Sequence, residues 1–230
     1  MLVTGGTDGI GRELVRLLAA RGDRVIATGR REGPDPALAT WVHADQSEPE
    51  RAAKTIAAAC EGGIDVAILC AGTGTVASEG VEGSETIRRT LRVNLTATIL
   101  IAHALAPMLL ERGGTLALVG SVARGGAAML PSYSASKAGL HGFARALGEE
   151  WRGRASVVML HPGPTRTDMQ AKAGMDVGRT ARLFVPAPLM ARTLLARVDA
   201  AQGRRAPMIG TLGHVAAGRH WIAERTGLAR

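Results

Sequence analysis

Short apolar runs alternate along the chain with longer stretches in which apolar residues recur every three or four positions. The run at 66–70 is apolar throughout, which is typical of a central parallel strand that is covered on both faces. The stretch at 9–21 carries its apolar residues at the spacing of one helix face. Because strands and amphipathic helices alternate, the pattern predicts an α/β fold with a Rossmann-type, doubly wound parallel sheet.

The same pattern predicts the order of the elements. Strands are predicted at 2–4, 24–29, 40–44, 66–70, 115–120 and 155–160, with a last short strand at 207–209. Helices are predicted at 9–21, 48–60, 132–152 and 186–201, and 84–112 is one long helix or two joined helices. The sequence His161-Pro162-Gly163-Pro164 is expected to end the sixth strand. No repeat or linker divides the chain, so we predict one domain over 1–230 that contains a variable substrate-loop insert at 165–190.

Composition narrows the class of protein. The chain has 230 residues, of which 46% are hydrophobic and 21% charged, as expected for one soluble domain with a full core. We expect no run that is long and apolar enough to cross a bilayer, and no signal peptide at the N-terminus. Two cysteines are too few for a disulfide framework. These features favour the cytoplasm and argue against a membrane partner.

The net charge of +8 raises the question of nucleic acid. The arginines are scattered, and the few aromatic residues do not interleave with basic runs, so nucleic-acid binding is the weaker interpretation. Part of the positive charge could instead serve an anionic cofactor. The six histidines lack ligand spacing with one another or with cysteine, so no metal site is predicted.

A glycine-rich segment joins the first strand to the first helix. Gly5, Gly9 and Gly11 allow a sharp turn and a close approach of the backbone to a phosphate. The helix that follows directs free N–H groups and the positive end of its dipole at the same place. A glycine-rich strand–helix turn without a ligand is the alternative interpretation.

Tyr133 and Lys137 form the second candidate site. Tyr133 is the only tyrosine of the chain, and Lys137 follows it by four residues, which is one helical turn. An ammonium group near a phenol lowers the phenol's pKa from about 10, and such a phenol is a general acid for a carbonyl oxygen. Ser121 precedes the pair at the end of an apolar run. The alternative is a half-buried tyrosine beside a solvated lysine.

Several short motifs occur in order and at compatible spacing, and together they resemble the short-chain dehydrogenase/reductase family in its compact single-domain form. They are Thr4-Gly5-x-x-x-Gly9-Ile10-Gly11, Ala71-Gly72, Asn94, Ser121, Tyr133-x-x-x-Lys137 and Pro162-Gly163. The resemblance extends from the N-terminus to about Thr167. Cys70 and Thr165 depart from the family pattern, which usually has asparagine and a branched aliphatic residue at these positions. Neither departure falls on a catalytic position.

The resemblance implies four catalytic residues. Tyr133 would be the acid/base, and Lys137 would lower its pKa and bind the nicotinamide ribose. Ser121 would hydrogen-bond the substrate oxygen and stabilise developing charge. Asn94 would bend its helix and hold a water that relays protons to Lys137. A polar residue that is merely tolerated within a helix is the alternative for Asn94.

The resemblance also implies a dinucleotide site. Thr167 would contact the cofactor or cap a helix, and Asp45 would hold the adenine amine or cap the helix that follows it. The expected cofactor-binding residues are Gly5, Thr7, Asp8, Gly9, Ile10, Gly11, Arg30, Arg31, Asp45, Gln46, Ala71, Gly72, Asn94, Tyr133, Lys137, Pro162, Gly163, Thr165 and Thr167.

The end of the second strand bears on the choice of cofactor. NAD enzymes place an acid there to bind the ribose 2′-hydroxyl, whereas this chain has Thr28-Gly29-Arg30-Arg31. Guanidinium groups suit a 2′-phosphate, so NADP(H) is predicted to be preferred over NAD(H). A solvated arginine pair is the alternative, and Asp8 is an acid where it would not help a phosphate.

The expected activity is hydride transfer between NADP(H) and a carbonyl or secondary alcohol, with a ketone or aldehyde as the small-molecule substrate. A 3-ketoacyl thioester reductase and an NAD-linked alcohol dehydrogenase are alternatives within the family. A sensor that binds NADPH without chemistry is an alternative of another class. The helical stretches at 91–110 and 136–147 carry small and apolar residues on several faces, which predicts a homodimer or homotetramer.

Overall fold

Seven parallel strands form the central sheet of the computed structural model, which describes residues 1–33, 35–77, 80–175 and 178–212. Residues 176–177 of the predicted insert and 213–230 of the predicted domain lie outside the described residues. The strands of the large sheet are β1 (Leu2–Thr4), β2 (Ile26–Gly29), β3 (Thr40–His43), β4 (Val66–Leu69), β5 (Thr115–Val119), β6 (Ser156–Pro162) and β9 (Met208–Leu212). Two further strands, β7 (Thr165–Arg166) and β8 (Val185–Pro186), pair with each other.

Helices connect the strands and cover the sheet. They are α1 (Gly9–Ala20), α2 (Pro49–Ala59), α3 (Ser84–Leu91), α4 (Ala97–Arg112), α5 (Pro131–Glu150), α6 (Met169–Lys172) and α7 (Ala187–Ala201). A π-helical turn, Arg92–Thr96, joins α3 to α4, and 3₁₀ turns lie at Val122–Gly125 and Gly178–Leu183. The predicted stretch 84–112 is therefore two helices joined through a π turn.

The strand order explains where a site can form. The order is β3-β2-β1-β4-β5-β6-β9, so the chain reverses direction across the sheet between β1 and β4. In a doubly wound sheet the crevice at such a reversal, at the carboxyl ends of the strands, is the usual ligand site. The parallel, doubly wound sheet predicted from the sequence is confirmed.

Two hydrophobic cores hold the layers together, one on each face of the sheet. On one face α2 and α4 supply Ile56, Ile101 and Leu105, which are fully buried. On the other face α1 and α7 supply Leu14 and Leu194, also fully buried. Because both faces are covered, the central strands have no polar side that could alternate with an apolar one.

The sixth strand is longer than predicted. It runs to Pro162 rather than ending at 160, because His161 and Pro162 pair with Thr211 and Leu212 of β9. The N–H of Gly163 donates to the carbonyl of Leu212 at 2.9 Å and extends the contact by one residue. A proline at the end of a strand is tolerated when its missing donor is not needed.

The helical run Ser84–Arg112 is long and apolar enough to cross a membrane by length and composition, so the expectation that no such run exists is wrong. In the structure α4 buries Ile101, Leu105 and Leu109 in the core beside α2. Within the most apolar window of the run, 39% of the residues are buried. Core packing therefore accounts for part of the apolar character of α4.

Candidate active site

The glycine-rich turn between β1 and α1 packs tightly against the loop that follows β4. Gly5 has φ +70°, and a Cβ there would lie 2.8 Å from the Cα of Ala71. A Cβ on Gly11 would lie 2.2 Å from the carbonyl oxygen of Gly5. Thr4 ties the two segments together, because its hydroxyl accepts hydrogen bonds from the N–H groups of Cys70 and Ala71. Only glycine leaves room for this turn, which forms the floor of a narrow cradle.

Asn94 organises the region behind the cradle from the π-helical turn. Its side chain is fully buried; Oδ1 accepts from the N–H of Thr73, and Nδ2 donates to the carbonyl of Thr73, both at 2.8 Å. The amide also donates to Ser136 Oγ on α5 at 3.1 Å. A Cβ built on Gly72 would lie 3.4 Å from Asn94 Oδ1 and 3.6 Å from Lys137 Nζ, so these residues share one corner. The π turn lies where a bent helix was expected.

Replacing Asn94 with alanine should destabilise the fold by about 2 to 4 kcal/mol, because both backbone groups of Thr73 lose their side-chain partner. The free energy of unfolding in urea measures the loss. Thr96→Ala, at an exposed position of the same π turn, is the matched control and should change stability by less than about 1 kcal/mol. Equal effects of the two substitutions would contradict the role given to Asn94.

The N-terminal turn of α5 is fixed by a residue that the sequence did not single out. Glu82 accepts hydrogen bonds from the backbone N–H of Ser132 at 2.9 Å and from its hydroxyl at 2.8 Å. An acid at a helix N-terminus is favoured by the helix dipole. This contact anchors the turn that carries Tyr133, whose side chain is buried in a small apolar cluster with Leu130 and Ala127.

Tyr133 and Lys137 face the cleft from one side of α5. Lys137 Nζ lies 5.7 Å from the centroid of the Tyr133 ring and donates to the carbonyl of Val119 at 2.9 Å. Burial lowers the pKa of Lys137 to about 8. Burial raises the pKa of Tyr133, and a hydrogen bond with Ser121 only partly opposes the shift. The direction is opposite to the predicted lowering, because burial of the phenol dominates.

Ser121 follows β5 and starts the 3₁₀ turn, where its hydroxyl accepts from the N–H of Ala123 at 3.1 Å. His161 lies beneath this segment and does not line the cleft. It is buried, its Nε2 lies 2.9 Å from Nδ1 of His141, and burial lowers its pKa to about 4. A Cβ on Gly120 would lie 2.4 Å from His161 Nδ1. His161 is therefore a neutral packing residue at the end of β6.

The cradle and the α5 residues open into one cleft of about 720 Å³. At one end Gln46 is buried, and its Oε1 has no hydrogen-bond partner among the described residues. An unsatisfied buried acceptor at a cleft wall matches an amine donor such as that of adenine. The glycine cradle, this acceptor and the buried Tyr133–Lys137 pair at the other end fit the parts of a nicotinamide dinucleotide.

Asp45 and Thr167 both line the cleft, and neither is the N-cap residue of the helix that follows it. Asp45 lines the cleft while its Oδ1 accepts from the N–H of Ser47 at 2.9 Å. Burial acts to raise the pKa of Asp45, but its hydrogen bonds with Ser47 and the charges of Arg30 and Arg89 together outweigh burial, and the pKa is lowered. Thr167 lines the cleft near Gly9, and its hydroxyl accepts from the N–H of Met169 at the start of α6. The N-cap residues of α2 and α6 are Glu48 and Asp168, so the structure does not support helix capping as the role of Asp45 or Thr167.

Charged groups gather where β2 ends. Arg30 and Arg31 follow the strand, are exposed, and line the cleft. Arg31 Nη2 lies 3.3 Å from Asp8 Oδ2, and Lys172 of α6 binds the same carboxylate oxygen. No group of three or more His, Cys, Asp or Glu side chains that could hold a metal ion is present in the part of the chain that the structure describes.

The sequence of the chain is similar to those of known proteins. A model of the family described as short chain dehydrogenase matches residues 1–178. The chain belongs to this family of oxidoreductases. It is 33% identical over 184 residues to carbonyl reductase family member 4 of Danio rerio, covering 74% of this chain and 77% of that protein. It is 30% identical over 192 residues to the 3-oxoacyl-[acyl-carrier-protein] reductase MabA of Mycobacterium tuberculosis, covering 81% and 77%.

A solved short chain dehydrogenase/reductase family protein has the same fold as this short-chain dehydrogenase. It superposes with a TM-score of 0.79 at 26% identity, covering 96% of this chain and 97% of the other. The family resemblance drawn from the motifs is thus confirmed, and with it the prediction of a nicotinamide-dependent dehydrogenase/reductase enzyme.

In this short-chain dehydrogenase the predicted site residues come together. Every residue expected to contact the cofactor lines the cleft except Asn94, which lies behind it. The cleft also contains residues that the sequence did not single out. Among the polar and charged ones are Thr73, Arg89, Gln170 and Lys172. Lys172 is far along the chain from the glycine-rich segment. No local sequence pattern predicts that the two lie together, because only the fold brings them into contact.

Proposed function

We propose that the protein is an NADP(H)-dependent reductase of ketones or aldehydes, which transfers hydride between the nicotinamide and a carbonyl carbon. One observation carries the proposal: Ser121, Tyr133 and Lys137 line one cleft that continues into the glycine cradle. A proton donor for a carbonyl oxygen and a dinucleotide site therefore share one cavity. A bound dinucleotide would supply the hydride.

Side chains of the protein supply the proton to the substrate oxygen and hydrogen-bond to that oxygen. Tyr133 donates its phenolic proton to the substrate oxygen, and Ser121 donates a hydrogen bond to the same atom. Because burial raises the pKa of Tyr133, the phenol is protonated at neutral pH, as a donor in the reductive direction must be. Lys137, with its pKa near 8, places a cation beside the phenolate that forms and stabilises it. Asn94 holds the loop at Thr73 against this corner.

The preference for NADP(H) rests on Arg30 and Arg31. Replacing both with glutamine should lower kcat/KM for NADPH by about 10- to 100-fold, because two charge-assisted hydrogen bonds to a 2′-phosphate are lost. The kcat/KM for NADH should change by less than about twofold. Arg51→Gln, on the exposed face of α2 outside the cleft, is the matched control. Equal losses with both cofactors, or a wild type that prefers NADH, would contradict the assignment.

Small or apolar residues line much of the cleft around Tyr133. Ala123, Ala127, Leu130, Met169 and Met175 surround Tyr133 or pack against its cluster. Such walls suit an aliphatic or aromatic ketone or aldehyde and exclude water from the phenol. This agrees with the relative that is named a carbonyl reductase.

Reduction of a 3-ketoacyl thioester is the second candidate. It is supported by the relative named a 3-oxoacyl-[acyl-carrier-protein] reductase and by Arg124, which is exposed in the 3₁₀ turn after Ser121. A cation there could attract an acidic carrier. NADPH consumption with ketones, aldehydes and a short 3-ketoacyl thioester separates the two candidates. Dinucleotide binding without turnover of any compound would favour a sensor instead.

We also propose a homodimer or homotetramer in the cytoplasm. On α4 the side chains of Leu100, Met108 and Leu110 are only partly buried, and on α5 the same holds for Phe143 and Leu147. Pairing of these helices between subunits would cover the apolar surface that the single chain leaves accessible.

A further inference from the structure

Three charged side chains from distant parts of the chain meet at the adenosine end of the cleft. Asp8 caps α1, where its Oδ1 accepts from the N–H of Gly9 at 2.7 Å. Its Oδ2 lies 3.3 Å from Arg31 Nη2 and is hydrogen-bonded to Lys172 Nζ. All three charged residues line the cleft. The Asp8 carboxylate is therefore shared by two cations at the place where the proposed 2′-phosphate would bind.

Asp8 keeps its negative charge at neutral pH. Burial acts to raise the pKa of Asp8, but hydrogen bonds from Lys172 and Gly9 outweigh burial, with a smaller contribution from the charge of Arg31, and the pKa is lowered. The carboxylate cannot turn away from the cleft without losing its hydrogen bond to the start of α1. A dianionic phosphate bound by the arginines would thus face a fixed negative charge.

Lys172 is positioned to cancel that charge. It ends the short helix α6, and its N–H donates to the carbonyl of Asp168 at 2.9 Å. Thr167, just before α6, lies against Gly9, which holds this segment close to the glycine-rich turn. The carboxylate of Asp168 lies 3.9 Å from Lys172 Nζ but is more exposed than that of Asp8. Asp8 is the nearer and more buried partner of the ammonium group.

We propose that Lys172 is a specificity-determining residue for the cofactor, because it pairs with Asp8 and so weakens the attraction of that carboxylate for Arg31, which together with Arg30 would bind a 2′-phosphate. This inference rests on the proposed NADP(H) function. These four residues contribute −1 from Asp8, +1 from Lys172 and +2 from the arginines, a sum of +2, and a 2′-phosphate has a charge close to −2. Without Lys172 the sum falls to +1, while the neighbouring charges of Asp45, Asp168 and Arg89 stay the same.

The test compares two ligands that differ only in the 2′-phosphate, adenosine 2′,5′-bisphosphate and 5′-AMP, by isothermal titration calorimetry on the full chain. Lys172→Gln should weaken binding of the bisphosphate by about tenfold and change 5′-AMP by less than about twofold. Asp8→Asn should strengthen bisphosphate binding, since asparagine keeps the helix cap and removes the charge. The double variant Asp8→Asn/Lys172→Gln should return to within about threefold of wild type.

Recovery of bisphosphate binding in the double variant is the most discriminating result. If Lys172 had a purely structural role, removing the Asp8 carboxylate would not restore the binding that Lys172→Gln loses. Lys54→Gln, an exposed lysine of α2, is the matched control and should bind both ligands as wild type does. The inference would be overturned if Lys172→Gln still discriminated between the two ligands as wild type does. It would also be overturned if the double variant bound the bisphosphate as weakly as Lys172→Gln does. Either result would leave the proposed NADP(H) preference unaffected. A wild type that binds both ligands equally would refute the NADP(H) preference and the inference together.

Discussion

Tyr133→Phe should lower carbonyl reduction by about 1,000-fold while NADPH still binds within about threefold of the wild-type Kd. The substitution removes only the phenolic oxygen, which donates the proton and interacts with Ser121. Tyr133 is the only tyrosine of the chain, so no other phenol can take its place. Steady-state kinetics and a fluorescence titration with NADPH measure the two quantities separately.

Phe143→Leu is the control for this experiment. Phe143 lies on the same helix, is partly buried in the core on one face of the sheet, and is not part of the cleft wall. Its replacement should leave kcat within about twofold of wild type. A Tyr133→Phe variant that keeps more than a tenth of wild-type turnover would remove Tyr133 from the role of proton donor.

Gly11→Ala should destabilise the protein by about 3 kcal/mol and abolish measurable NADPH binding. The new methyl carbon would lie 2.2 Å from the carbonyl oxygen of Gly5, which is backbone and cannot rotate out of the way as a side chain can. The turn at Gly5 would have to move, although it already packs against the backbone of Ala71. Urea unfolding gives the loss of stability, and calorimetry with NADPH gives the loss of binding.

The same substitution at Gly142 is a matched control with the opposite expected sign. Gly142 lies in α5 and is exposed, and a methyl group added there would have no heavy atom within 4 Å apart from its own helix and neighbours. Gly142→Ala should stabilise the helix by about 0.5 to 1 kcal/mol, because alanine loses less conformational freedom on folding. If Gly11→Ala has the wild-type free energy of unfolding and binds NADPH normally, the space between Gly11 and the Gly5 carbonyl is larger than the structure shows.

The alternation of strands and helices was readable from the sequence because burial on both faces of a parallel sheet leaves a strong local pattern. The run at 66–70 became the central strand β4, and the helix face predicted at 9–21 packs as α1. The end of β6 was not readable, since Pro162 and Gly163 signal a stop locally while pairing with β9 decides the boundary. Strand pairing over some fifty residues has no signature in a local window.

The position of Tyr133 and Lys137 on the same side of α5 was predictable because their four-residue spacing is a local feature. The contacts that surround the pair could not be predicted from the sequence. Glu82 reaches Ser132 across 50 positions, and Lys172 reaches Asp8 across 164. The direction of the Tyr133 pKa shift was missed for a related reason: spacing places a lysine nearby, but burial depends on the cluster around Leu130, which only the fold assembles.

Transfer of deuterium from [4,4-²H₂]NADPH, which carries deuterium at both C4 positions, to a carbonyl substrate tests the central claim most directly. The assay incubates the purified protein with labelled NADPH and each member of the ketone, aldehyde and ketoacyl thioester panel, and mass spectrometry locates the label in the product. We predict an alcohol with one deuterium on the carbinol carbon, formed by wild type and not by Tyr133→Phe. Binding of NADPH without a labelled alcohol from any member of the panel would contradict the proposed reductase and favour a sensor.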